Sequence, residues 1–185
     1  MFFLKFSSSC MTSILRPTTR SRAEVSLSFF SFLFAELVAH CTEGEEHLEL
    51  GLHRMGLDLG LRIFPLFHLR DRPFRRELKP LGGLQFIASS VWKSLFGPAA
   101  EIMTTDQPNE YYLVDRGMLL NKFISISESD ASANNMVNCA YFAAGLIEGM
   151  MHSASFKQTR VEALFTHAGS VKVDPMHVTF VVRIS

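Results

Sequence analysis

Two glutamates raise the first chemical question in this sequence. Glu36 and Glu148 each lie inside an otherwise apolar helical run, where an uncompensated charge is costly. Each calls for a salt bridge, a contact with another protein, or work as a general acid or base. The last reading lacks its other half, because no nucleophile or orienting group lies near either carboxylate in sequence. His47 and His53 are six residues apart, which puts them on different faces of a helix and leaves a joint metal site short of a third ligand. The three cysteines, Cys10, Cys41 and Cys139, are odd in number, far apart and never in a CxxC pair. That spacing suits neither a disulfide framework nor a zinc site and points to a reducing environment. Cys41 and Cys139 fall on apolar helical stretches, where a thiol behaves as a small hydrophobe.

The standard phosphate, acyl-transfer and metalloprotease signatures are absent: GxGxxG, the P-loop, GxSxG and HExxH do not occur. The expectation is a protein with no catalytic residues, no cofactor and no metal site. With 18 Lys plus Arg against 18 Asp plus Glu, there is no long-range field for nucleic acid. A chain of 185 residues is the size of one domain and long enough for a core without disulfides or metal.

The elements that position these residues begin with residues 23–41, where nearly every side is apolar. Read as a helix, an inward stripe of Phe30, Leu33, Leu37 and Cys41 is matched by a second stripe of Leu27, Phe34 and Val38, more than one core covers. Burying a Phe or Leu contributes about 1.5–3 kcal/mol over leaving it wet, so the second stripe implies another protein. A membrane span would need about 20 apolar residues; the run is shorter and Glu36 interrupts it.

The turn at Gly44 leads to a second helix marked by Leu48, Leu52, Met55, Leu59 and Ile63, with Pro65 predicted to break or kink it near Phe64. Gly56 and Gly60, one turn apart, would let another helix approach closely. The charged stretch 70–79 carries five basic residues and reads as a solvated linker rather than a phospholipid or GTPase contact. A third helix is expected over 80–96 with Leu84, Ala88, Val91, Trp92 and Leu95 as its stripe. Strands are expected at 110–115 and 122–127 as an antiparallel pair, then a fourth helix over 136–151 and strands at 160–166 and 177–184. Residues 1–21 contain Phe, Ser, Lys and Arg but no acid. That composition resembles an organelle-targeting segment, but with Met11 an equally good start they read as a disordered or mis-annotated leader rather than a working transit peptide, leaving 22–185 as a single domain.

Three separated blocks carry a family resemblance. They are RAEVSLS at 22–28 running on to FAELV at 34–38, then KPLG at 79–82 with VWKSLFG at 91–97, then NCAYFAAGLIE at 138–148. In this order they resemble the small core subunits of TRAPP, the transport protein particle, over residues 22–183. The block ending in Gly-x-x-Glu is the most specific. The resemblance implies an α+β fold, an α/β plait with about four helices packed on one face of a four-stranded antiparallel sheet. It also implies pairing with other TRAPP small subunits through the first two helices in a hetero-oligomeric core. That core tethers vesicles and exchanges nucleotide on a Rab-type GTPase at cytoplasmic endoplasmic reticulum and cis-Golgi membranes, in transport between these compartments. The implied role is a non-catalytic scaffold that meets the GTPase and the membrane surface through the complex. Its expected subunit interface is Leu27, Phe29, Phe30, Phe34, Val38, Leu52, Met55, Gly56, Leu59 and Gly60. The rival is a small-molecule or lipid sensor of the same fold, whose pocket the many Phe and Met residues would line.

Overall fold

The computed structural model describes residues 26–43, 47–71, 78–105, 107–123, 138–165, 174 and 176–185. The leader, the turn at Gly44, residues 124–127 of the strand expected at 122–127, the start of the fourth predicted helix at 136–137 and residues 72–77 of the charged stretch lie outside the described residues.

Helix α1 (Leu27–Glu43) is opened by Ser26, whose Oγ accepts the Phe29 backbone N–H at 3.2 Å, a short polar cap for an otherwise unpaired donor. Helix α2 (Leu48–Asp71) does not stop at Pro65. Of the expected break or kink, the break is overturned: Pro65 and Leu61, the residue whose carbonyl loses its helical donor, both sit on the exposed side. Water can serve that carbonyl, so the helix runs on for nearly two more turns. Helix α3 begins with Pro80–Phe86, widens into a π turn at Ile87–Val91 and ends as Trp92–Phe96. Lys79 enters it extended, as a residue before proline must. Gly97 closes it at φ +94°, where a side chain would be strained. Helix α4 (Tyr141–Ser153) is the last among the described residues.

The sheet has four strands, β1 (Glu101–Thr104), β2 (Glu110–Asp115), β3 (Thr159–Phe165) and β4 (Val178–Ile184), in the order β1-β2-β4-β3, all antiparallel. The neighbours of β2 are thus β1 and β4, where the sequence suggests residues 122–127. Leu119–Asn121 form a 3-10 turn, and Lys122 and Phe123 follow it outside the sheet. On β3 the alternation is clean: Thr159, Val161 and Ala163 are buried, while Arg160, Glu162 and Leu164 are exposed. The covered face belongs to the helices. The four helices over a four-stranded antiparallel sheet are the α/β plait that the resemblance implies.

Core and architecture meet at α4. Its Ala143, Ala144, Ile147, Met150 and Met151 are fully buried, in one apolar cluster with Val161, Phe180 and Val182 of the sheet and Trp92 of α3. Trp92 is the largest of these, packing edge-on to Phe180 and donating its Nε1–H to Asp115 Oδ2 at 2.9 Å.

Helix α2 lies across the other side of α4 at backbone contact. A Cβ on Gly56 would strike the Phe142 carbonyl, and one on Gly60 the Leu146 carbonyl. In return, Gly145 of α4 faces the His53 carbonyl and Gly149 that of Leu57. The close approach expected at Gly56 and Gly60 therefore exists, but the helix approaching is the chain's own α4. Two glycine pairs at four-residue spacing interlock within the chain. Leu52, fully buried beside Cys41 and Cys139, is likewise internal.

Candidate subunit interface

The face left over on α1 is the candidate site. Phe30, Phe34, Leu37 and Val38 turn inward and are half-buried, and Cys41 is buried. Phe30 stacks on Phe34, which meets Phe142 of α4 edge-on at 5.9 Å between ring centroids. Apart from Leu27 and Leu33, which are exposed, the two apolar stripes read from the sequence merge into one inward face. Leu33, expected inside, is exposed yet also borders the cavity beneath α1.

The outward face is apolar too. Phe29 is 60% exposed, Phe32 76% and Leu33 58%. These side chains recur at three- and four-residue steps and share one side of the helix with Glu36, which is also exposed. Leu27 and, on α2, Leu59 are exposed in addition, whereas Met55 is half-buried against the Cys41 cluster. Of the ten expected interface residues, Leu27, Phe29 and Leu59 are therefore surface residues. Phe30, Phe34, Val38 and Met55 are shared with the chain's own packing, and Leu52, Gly56 and Gly60 are internal. Phe32 was missed. It falls on neither of the two stripes read from the sequence, and its three-residue step from Phe29 was the signal that could have found it.

Between α1, α2 and the end of α3 lies an apolar cavity of about 270 Å³, roofed by Phe30, Leu33, Phe34 and Leu37. Neither Cys41 nor Cys139 lines it. Both are buried; Cys41 Sγ contacts Met55 Sδ at 3.7 Å, and burial, helped by Glu49 and Cys41, pushes the Cys139 thiol up to about 11. Such thiols are inert. Among the described residues, no group of three His, Cys, Asp or Glu side chains is placed to hold a metal ion, and no helix is long and apolar enough to cross a membrane.

The other glutamate answers its question inside the chain. Glu148 Oε2 accepts the Val161 backbone N–H at 3.0 Å and lies 3.4 Å from His53 Nε2, tying α4 to β3 and to α2. Burial is the largest single influence and opposes ionisation. The His53 hydrogen bond, the Val161 N–H and the fields of His53 and His152 together outweigh it, so the carboxyl titrates below its ordinary 4.5. A lowered carboxylate stabilises the fold above its unfolded value, and that contribution disappears as pH falls through the folded one. Glu148→Gln is therefore expected to lower stability by roughly 1–3 kcal/mol at neutral pH, the worth of a hydrogen bond to a charged group. Thermal melts of the two proteins should converge below pH 4.5. A gap that stays constant into acid would contradict this.

Comparison with known proteins supplies the context for these surfaces. The family model "Transport protein particle (TRAPP) component" matches residues 30–185. Trafficking protein particle complex subunit 5 of Dictyostelium discoideum is 41% identical over 147 residues, 76% of each chain. The human protein of the same name is 36% identical over 146 residues, again 76% of each. Among solved structures, trafficking protein particle complex subunit 3 of Naegleria fowleri, covalently bound to palmitic acid, superposes with a TM-score of 0.64 at 19% identity. The match covers 86% of this chain and 95% of that one and shows a shared fold.

Proposed function

Because the chain belongs to the TRAPP component family, we propose that it is a non-catalytic scaffold subunit of the TRAPP vesicle-tethering and Rab GTPase nucleotide-exchange complex. It acts in transport from the endoplasmic reticulum to the Golgi. The observation that carries the reading is the outward face of α1. Three large apolar side chains, Phe29, Phe32 and Leu33, stand in water on one helix, an arrangement characteristic of an association surface. Their natural cover is another TRAPP small subunit. Each ring withdrawn from water contributes about 1.5–3 kcal/mol, and Glu36 in their midst selects a partner with a matching donor. The GTPase is met through the assembled complex, which works at cytoplasmic endoplasmic reticulum and cis-Golgi membranes. Relatives at 36–41% identity that bear a complex-subunit name favour this over the ligand-sensor reading.

The packing also decides which variants test it. Phe34→Asp is unsuitable, because Phe34 is wedged between Phe30 and Phe142 and its loss would damage the fold. Phe29→Asp combined with Phe32→Asp touches only the exposed face. Expressed in cells, this double variant is expected to keep its circular dichroism spectrum. It should lose more than nine-tenths of its capture of other small subunits, since two desolvated anchors and two stranded charges shift binding by several kcal/mol. Capture at the wild-type level by the folded variant would sink the proposal.

A further inference from the structure

The free edge of β3 is closed by side chains. Alternate residues of an edge strand direct their backbone N–H and C=O away from the sheet, and in β3 these groups belong to Thr159, Val161 and Ala163. Each residue has a partner drawn from α4 or the turn that leads into it. His152 Nε2 lies 3.1 Å from the Thr159 carbonyl; the carbonyl can only accept, so this nitrogen carries the proton. Glu148 Oε2 accepts the Val161 N–H at 3.0 Å, and Asn138 Nδ2 donates to the Ala163 carbonyl at 3.0 Å. The donor, acceptor and donor along the edge stand in for half of the N–H and C=O groups that an added strand would present to these three residues. Outside it a groove of about 860 Å³, bounded by residues 158–162, by His47 and by His53 of α2, leaves the edge open to approach. Asn138 and Glu148 are also the first and last residues of the NCAYFAAGLIE block, which gives that block a physical task.

We propose that Asn138, Glu148 and His152 form a comb that closes the β3 edge against strand addition by a second copy of the chain. An exposed edge of seven residues is a template for sheet-to-sheet pairing. Occupying one outward group on each of Thr159, Val161 and Ala163 from within the chain reduces the gain that an incoming strand would make. Resting on the reading of the α1 face above, the comb reserves association for the helical side of the molecule.

The test uses the full chain on a Phe29→Asp, Phe32→Asp background, so that the helical face adds nothing to the measured mass whether or not it is a subunit interface. Glu148→Ala with His152→Ala leaves Asn138 in place, because Asn138 Oδ1 also accepts the Ala140 N–H at the start of α4. Light scattering should show the alanine pair as dimers or larger species with native circular dichroism. Glu148→Gln with His152→Gln, which keeps an acceptor and a donor, should stay monomeric. Adding Leu164→Lys on the exposed side of β3 should return the alanine pair to monomers. A folded alanine pair that remains monomeric overturns the proposal. Should the pair fail to fold, native-state hydrogen exchange decides with single variants. The Val161 amide should exchange about tenfold or more faster in Glu148→Ala than in Glu148→Gln, and equal rates overturn the proposal. None of these readings depends on whether the chain captures TRAPP subunits.

Discussion

Alanine at Gly145 is expected to lower stability by about 2 kcal/mol even though alanine is the better helix former. The new Cβ would land on the His53 carbonyl, with the Leu57 nitrogen 2.9 Å away. Both are backbone, so no rotamer relieves the clash and the two helices must part. Overpacking of this kind typically costs about 1–3 kcal/mol. Here it sits at or above the upper end, because separating α2 from α4 also loosens Gly56, Gly60 and Gly149 in the same seam. The propensity gain of roughly 1 kcal/mol opposes it. Gly51→Ala is the control: its Cβ would meet Cys41 at an ordinary 3.5 Å, so the propensity gain should stand nearly alone. Urea unfolding followed by circular dichroism should therefore move the two midpoints in opposite directions. Similar midpoints for both variants would falsify the interlocked seam.

Trp92→Ala is expected to be the most damaging single change, about 3–5 kcal/mol from the cavity it leaves. A second cost follows from chemistry. Asp115 is nearly buried; its Oδ2 is held by Trp92 Nε1–H and its Oδ1 by the Gly117 N–H, each at 2.9 Å. Trp92→Phe keeps most of the ring but strands Oδ2, a loss of about 1–3 kcal/mol for an unpaired buried acceptor. A cycle of Trp92→Phe, Asp115→Ala and the double variant isolates this contact. The double variant should be less destabilised than the sum of the singles, and additivity within error would show that the hydrogen bond contributes nothing.

How far such effects could be read in advance differed from element to element. The four helices were legible because apolar residues recur at helical steps in each. Gly56 and Gly60 announced a close approach, yet their partner could not be named, although Gly145 and Gly149 repeat the same four-residue spacing and were the complementary signal. Strand β1 went unseen: four residues, Glu101–Thr104, show no alternation and become a strand only because β2 offers them an edge. Pro65 misled because a proline stops a helix only where the lost hydrogen bond cannot be met by water.

For the candidate site the division is sharper. The sequence by itself determined that residues 27–41 form an apolar helix with more hydrophobic surface than one core can cover, that no catalytic or metal motif is present, and which family the chain resembles. Periodicity is a local property, and the chain states it outright. Which stripe faces inward, by contrast, depended on where α4 stands. Phe142 takes up Phe34, Phe34 takes up Phe30, and Phe29, Phe32 and Leu33 are left in water. The two glutamates part on the same ground. Both sit in apolar helices, but only tertiary structure brings His53 and the Val161 N–H to Glu148 and leaves Glu36 exposed, because a charge buried in a fold needs partners from distant parts of the chain.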